Sequence, residues 1–327
     1  MRAQMLGVFA LITFLGGDAA AQDNAAPAGA QPPLQLARQV GPHRFMGAVG
    51  IPNPFLSQYL RASTGLAGTM GMEVGLYSFG DPPVLLATKQ VDLRYLVQEF
   101  EYQQRVSRTV AVRLALAGSG RLGTDTAGLI TEGVSVIMGW SAGATMKLTE
   151  RPGFQLAASA DLSGNSLTVV SPRAFVEDVL ANGFSDSTNS LAADYSNLRG
   201  AAGLRAAWGR STTTGYMLFG DIGGHEPYEP NEDTEFWWQA GGAVSLDLRE
   251  RWRPDLGFTA GATFRSSSPR NDDLGDGGWS TNLGIFYTGR PELTAGLQTV
   301  YTRLRQTAVD NKFGGVGLNL VLRYDFS

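Results

Sequence analysis

The chain has 327 residues, a formal net charge of -4 and no cysteine. The charge argues against a nucleic-acid partner, and the missing thiols exclude a disulfide framework, a thiolate metal site and a lipid anchor on cysteine. With 42 glycines and 10% aromatic residues, the composition suits closely packed strands with aromatic anchors and suits a helical bundle poorly, because glycine weakens helices.

Arg2, the apolar run Met5 to Leu15 and the small residues Ala19, Ala20 and Ala21 have the layout of a secretory signal peptide (residues 1–21), with cleavage expected after Ala21. The run is shorter than the roughly 20 apolar residues of a spanning helix, and no longer run follows it. Removing Arg2 and Asp18 leaves the net charge unchanged. Residues 22–69 are predicted as a flexible periplasmic leader or a plug segment. "QDNAAPAGAQPPLQLARQV" is rich in Ala, Pro, Gln and Gly. "PNPFLSQYLRAS" reads as a short helix after a proline start, in the periplasm or tucked into a lumen.

From residue 70 to 327 alternating segments recur between turns. In "VSVIMGWSAGATMKL", Val134, Val136, Met138, Trp140, Ala142, Ala144, Met146 and Leu148 share one face of an extended chain. "ERPG" then turns the chain and "FQLAASADL" returns it, which predicts a hairpin. Twelve strands are predicted, near 70–80, 85–101, 107–118, 131–149, 153–164, 198–210, 213–224, 235–249, 255–267, 278–289, 292–305 and 314–326. The phase slips between Gln98 and Tyr102, where a bulge is expected.

The connections alternate in length. "RVSR", "ERPG", "GRST", "RERWRP" and "TGRP" are short, whereas "AGSGRLGTDTAGLI", residues 165–197, "GHEPYEPNED", "SSPRNDDLGDGG" and "QTAVDNKF" are long. Short periplasmic turns and long extracellular loops are the asymmetry of an outer-membrane barrel, and an even strand number puts both termini on the periplasmic side. Two aromatic girdles are expected on the apolar face. Phe236, Trp238, Phe264, Trp279 and Tyr301 lie near the outer ends. Phe154, Trp208, Tyr216, Tyr287, Tyr324 and Phe326 lie near the inner ends.

The chain closes on "LNLVLRYDF" followed by Ser327. Leu318, Leu320, Leu322, Tyr324 and Phe326 share a face, and Asn319, Val321, Arg323 and Asp325 share the other. This amphipathic last strand with its final aromatic resembles Gram-negative outer-membrane β-barrel proteins as a class. The resemblance covers residues 70–327. It implies an all-β transmembrane antiparallel barrel of about twelve strands, surrounded by outer-membrane lipid and lipopolysaccharide. It also implies a barrel-assembly machinery that reads Tyr324 and Phe326 as its signal.

The polar faces would then line the interior, because a midplane Arg or Lys facing lipid costs about 2–4 kcal/mol. The candidate pore-lining residues are Arg94, Arg113, Lys147, Asp161, Arg205, Asp221, Glu235, Asp247, Arg265 and Arg323. Opposed rows of charge among them would set a transverse field that orients polar solutes, as charged rings do in pores. Equally, they would cross-link a filled barrel. Inner-face Phe219, Phe286, Ile137, Val300 and Val321 would offer an apolar path. In the long connection after Leu162, "SPRAFVEDVLANG" is predicted to form a short helix capped by Ser171 and ended by Gly183, either narrowing the pore or lying exposed.

The acidic loops around Glu226, Glu229, Glu232 and Asp233 and around Asp272, Asp273 and Asp276 lack the spacing of a calcium loop, so no metal is assigned to them. Nor is any cofactor. The two histidines, His43 and His225, have no serine two residues away on a common strand face, so no catalytic site is predicted. A passage for small solutes is the expected function. A non-conducting anchor in an envelope assembly and a channel for hydrophobic compounds are the alternatives.

Overall fold

The computed structural model describes residues 38–47, 50–70, 72–77, 85–91, 93–123, 134–170, 192–225, 235–249, 255–267, 277–306 and 311–326. A small hairpin comes first, β1 (Gln39–Val40) and β2 (His43–Arg44), turning at Gly41, whose φ of 58° favours glycine. β3 (Gln58–Met70) begins the barrel. β4 (Met72–Tyr77) and β5 (Leu85–Val91) pair only with each other, as a separate two-stranded sheet between the first two barrel strands. The barrel continues with β6 (Leu93–Arg105), β7 (Val110–Gly123), β8 (Val134–Arg151), β9 (Phe154–Val170), β10 (Ala192–Gly209) and β11 (Thr214–His225). It is completed by β12 (Glu235–Asp247), β13 (Leu256–Ser267), β14 (Gly277–Tyr287), β15 (Leu293–Gln306) and β16 (Asn311–Phe326).

Every barrel strand pairs antiparallel with the next, and β16 returns to pair with β3, Leu318 opposite Leu66 and Arg323 opposite Arg61. The twelve-stranded closed barrel is therefore borne out, and closure leaves no free edge. Strand alternation holds throughout. Leu318, Leu320, Leu322 and Tyr324 are exposed, while Val321, Arg323 and Asp325 between them are buried. Leu66, Leu96, Leu116, Leu204, Leu218 and Leu283 are exposed in the same way on other strands.

Several expectations near the N-terminus are corrected. The first barrel strand is Gln58–Met70, not a strand starting at residue 70, and the stretch read as a helix contributes its second half to that strand. A helix start after proline and a strand start look alike here, because "QYLRASTGL" alternates Tyr59, Arg61 and Ser63 against Leu60, Ala62 and Thr64 with period 2. The segment predicted as one strand at 85–101 divides into β5 of the separate hairpin and β6 of the wall. No bulge interrupts β6. Its registers with β3 and β7 run without a shift, placing Val97, Glu99 and Glu101 inside and Leu96, Phe100 and Tyr102 outside. Among the described barrel pairings, the register shift falls instead between Lys147 and Thr149 on β8.

The flanks of the long connection after Leu162 are also strand. β9 and β10 stay paired as far as Val170 and Ala192. The expected helix at 171–183, the two acidic loops apart from His225, the signal peptide and residues 22–37 lie outside the described residues.

Candidate functional site

The short turns gather at one end of the barrel, and the described residues between Arg38 and Ser57 fill the interior there. Phe45, Ile51 and Phe55 pack with Val40 against Ala207 of β10, Met217 and Phe219 of β11 and Ala243 of β12. Met46 packs against Phe286 of β14 and Val321 of β16. The wall is cut back to receive this stopper. A Cβ on Gly209 would lie 2.1 Å from the Val40 carbonyl oxygen, and one on Gly215 would lie 2.2 Å from His43 Cδ2. Phe219, Phe286 and Val321, read from sequence as an apolar path, are instead the seat of the stopper.

Polar groups tie the stopper around the wall. Gln103 on β6 donates to the carbonyls of Phe55 and Ser57 at 2.9 and 2.8 Å, and Gln155 on β9 donates to that of Pro54 at 2.6 Å. Arg44 donates to the Thr288, Arg290 and Pro291 carbonyls of the β14–β15 turn. Arg38 reaches Thr294 Oγ1 and the Asp325 carboxylate, both at 2.8 Å. Asp325 is also gripped by Arg323, which donates to Ser57 Oγ at 2.8 Å and stacks its guanidinium 3.5 Å from the Tyr59 ring centroid. Burial, aided by the Arg323 charge, pulls the Arg38 guanidinium down to about 9 against the opposing pull of Asp325.

His43 lies wholly buried between Thr212 and Ser245. Its Nδ1 is 3.0 Å from the Thr212 carbonyl, which accepts only, so Nδ1 carries the proton. Nε2 then accepts from Ser245 Oγ, 3.1 Å away, and that oxygen accepts from the Met46 amide. A serine hydroxyl on a histidine is the arrangement of an activated nucleophile. Here neither group meets solvent, and the pair anchors the stopper. Sequence missed it because the two residues lie far apart in the chain. Burial lowers the His43 pKa, against the raising effects of Thr212 and Asp247.

Above the stopper the inner wall carries a belt of interleaved charge. Arg61 on β3 meets Glu99 and Glu101 of β6 at 2.6 and 3.0 Å. Arg113 on β7 bridges Glu101 at 3.3 Å and Asp161 of β9 at 2.6 Å, and Arg205 on β10 takes the other Asp161 oxygen at 2.6 Å. Asp221 on β11 accepts from Gln239 of β12 at 2.8 Å, and Arg265 of β13 is the next residue in register. Tyr59 donates to Glu101 and so joins the belt to the stopper. The carboxylates lie flat on the wall, and a Cβ on Gly203 would sit 1.8 Å from Asp221 Oδ1. Among the described residues the signs alternate around the wall rather than standing in opposed rows, and neighbouring fields largely cancel.

The candidate residues thus divide. Arg113, Asp161, Arg205, Asp221 and Arg265 occupy inward positions of this belt. Arg323 belongs to the stopper latch. Asp247 closes on Arg249 at the short-turn end, and Lys147 pairs with Glu150 beside the β8 shift. Glu235 opens β12 opposite His225. Arg94 is a correction. It is exposed on the outer face in phase with Leu96, because β6 keeps one phase where a slip had been expected. Glu99 and Glu101 were not singled out for the same reason, and Arg61 was not because its stretch reads as a helix ahead of the barrel.

The outer face is apolar around the barrel, with aromatics toward its ends. Phe236, Trp238, Phe264 and Trp279 are exposed at the long-connection end, and the Trp279 and Tyr301 rings lie 5.3 Å apart. At the other end Trp208 stacks on Tyr216 at 5.6 Å, and Tyr324 meets Phe326 edge-on at 5.3 Å. Such a surface is far larger than the apolar patches that water-soluble monomers expose, and it has the banding of a transmembrane barrel. The chain resembles outer-membrane β-barrel proteins as a class. Among solved structures it is similar to the transport unit of the autotransporter AIDA-I from Escherichia coli, at 11% identity over 89% of this chain and 95% of that chain, with a TM-score of 0.45. It is likewise similar to the NanC porin, at 8% identity over 83% and 100% of the two chains and a TM-score of 0.45. The CymD monoaromatic hydrocarbon channel gives 10% identity over 83% and 88%, and a TM-score of 0.40. The likeness is one of barrel shape. No protein-family model matches the chain, and no curated protein matches it in sequence.

Proposed function

We propose that the protein is an outer-membrane channel for small polar solutes, held shut at its short-turn, periplasmic end by residues 38–57. A polar, charge-balanced wall above a separately seated stopper is the observation that carries this. A barrel needing only to be filled would gain as much from apolar side chains, since buried ion pairs add little net stability over packed hydrocarbon. Interleaved charges instead keep the wall wet and hydrogen-bonding while favouring neither sign of ion. Tyr324 and Phe326, exposed at the end of the last strand, serve in this proposal as the signal read by the assembly machinery. Lipopolysaccharide and phospholipid cover the apolar face.

Planar-bilayer conductance tests the proposal. The full chain is expected to stay closed with rare openings. A variant lacking residues 22–57, and the milder double variant Arg38→Gln with Asp325→Asn, are expected to pass steady current with weak ion selectivity. If neither variant conducts although both run as folded barrels, the chain is a non-conducting anchor.

A further inference from the structure

The mouth opposite the stopper carries a cluster that the stopper does not use and that meets the belt only at Arg265. Arg199 on β10 pairs in register with His225 on β11, and His225 with Glu235 on β12. One position further in, Trp237 pairs with Gly223, and its indole lies over that glycine, where a Cβ would be 2.7 Å from Trp237 Cζ2. Arg265 on β13 holds its guanidinium carbon 5.4 Å from the Trp237 ring centroid. All these residues share the inward phase of Arg205, Asp221 and Gln239 on their strands.

Arg199 Nε and Trp237 Nε1 have no hydrogen-bond partner among the described residues. Among the described residues at these strand positions, two arginines stand against one acidic residue, Glu235. A guanidinium grips a carboxylate through parallel N–H donors. A guanidinium packed on an indole makes a platform on which a flat ring stacks. We propose that Arg199, Trp237 and Arg265 form a docking site for a small aromatic carboxylate, Arg199 taking the carboxylate and the Trp237–Arg265 platform taking the ring. Binding at this mouth does not depend on conduction.

Calorimetric titration of the detergent-solubilised full chain with sodium benzoate tests the site. Saturable one-to-one binding is expected. Arg199→Gln should weaken it about tenfold or more, the effect of losing one charge-assisted hydrogen-bonded pair, and Arg199→Lys should recover part of the loss. Trp237→Leu should weaken benzoate but leave the feebler binding of acetate unchanged. Benzyl alcohol, which keeps the ring and lacks the charge, should not bind. Circular dichroism and heat-dependent gel migration establish that each variant is a folded barrel. Benzoate affinity equal in folded wild type and folded Arg199→Gln, or no benzoate binding to folded wild type, overturns the site, and so does benzyl alcohol binding as well as benzoate. A barrel that binds benzoate in the expected pattern yet passes no current would sink the channel and leave the site standing.

Discussion

At the scale of single residues, the seat of the stopper depends on atoms that are missing from the wall. Gly209→Val would drive a side chain into the Val40 carbonyl, a backbone atom that cannot swing aside. The outer face of β10 is untouched by this change. Gly209→Val is therefore expected to leave the barrel folded and raise its conductance, and a folded variant that stays as closed as wild type would contradict the proposed seat. His43 makes a second expectation. Its folded pKa lies below the ordinary value of about 6.5. The unfolded or unseated imidazole thus binds a proton that the seated one refuses. The contribution of His43 is fully present above about pH 6.5 and is lost as pH falls through the lower folded value. Conductance is expected to rise on acidification through that window, and His43→Gln should flatten the rise. Much of this chemistry was hidden in sequence. A histidine in a Pro-rich leader gives no sign that it meets a serine on the eighth wall strand, and a glycine's empty space is invisible until something fills it.

At the scale of the strand, the pattern of the last element was legible. Leu318 and Leu320 face out and Asn319 faces in, as period 2 requires. The two faces are expected to respond oppositely to the same residue. Leu318→Arg should lower the unfolding free energy in phospholipid vesicles by about 2–4 kcal/mol if the position is near the bilayer midplane. A loss of only a few tenths would remove hydrocarbon as the surrounding solvent. Ser63→Arg, on an inward position of β3, should spare stability in comparison and be read in conductance. β6 shows where the same logic failed. Placing Val97 on the outside, as an apolar residue suggests, requires a phase slip before Phe100 and turns Arg94 inward. The physical rule is asymmetric: an apolar residue is tolerated inside a lumen, whereas a charge in mid-bilayer is not. Glu99 and Glu101 should have fixed the phase and Val97 should have yielded.

At the scale of the molecule, the closed barrel and eleven of its twelve strands could be derived from alternation and turn spacing, because each is set by local pattern; β3 stands in place of the strand expected at 70–80. The start of the wall could not. Residues 58–70 alternate as the other strands do, but they follow a proline-rich approach that also suits a helix, and only the need for a partner beside β16 distinguishes the two. The stopper was one of two possibilities for the same reason: its contacts with the wall are all distant in sequence. With an apolar exterior on this scale, the mature chain is expected to require detergent. Sedimentation as a monodisperse species in plain buffer would refute a membrane barrel altogether.

A cylinder made by rolling up one ribbon has a single join, and here the join lies between the first and last lengths of the ribbon. Ser57 and Tyr59 stand at one lip of that join and Arg323 and Asp325 at the other, with Arg38 holding Asp325 from within. The piece that obstructs the opening therefore also rivets the hoop. Drawing it out loosens the join at the same moment, so a fully unblocked cylinder is also one held together less firmly at its seam.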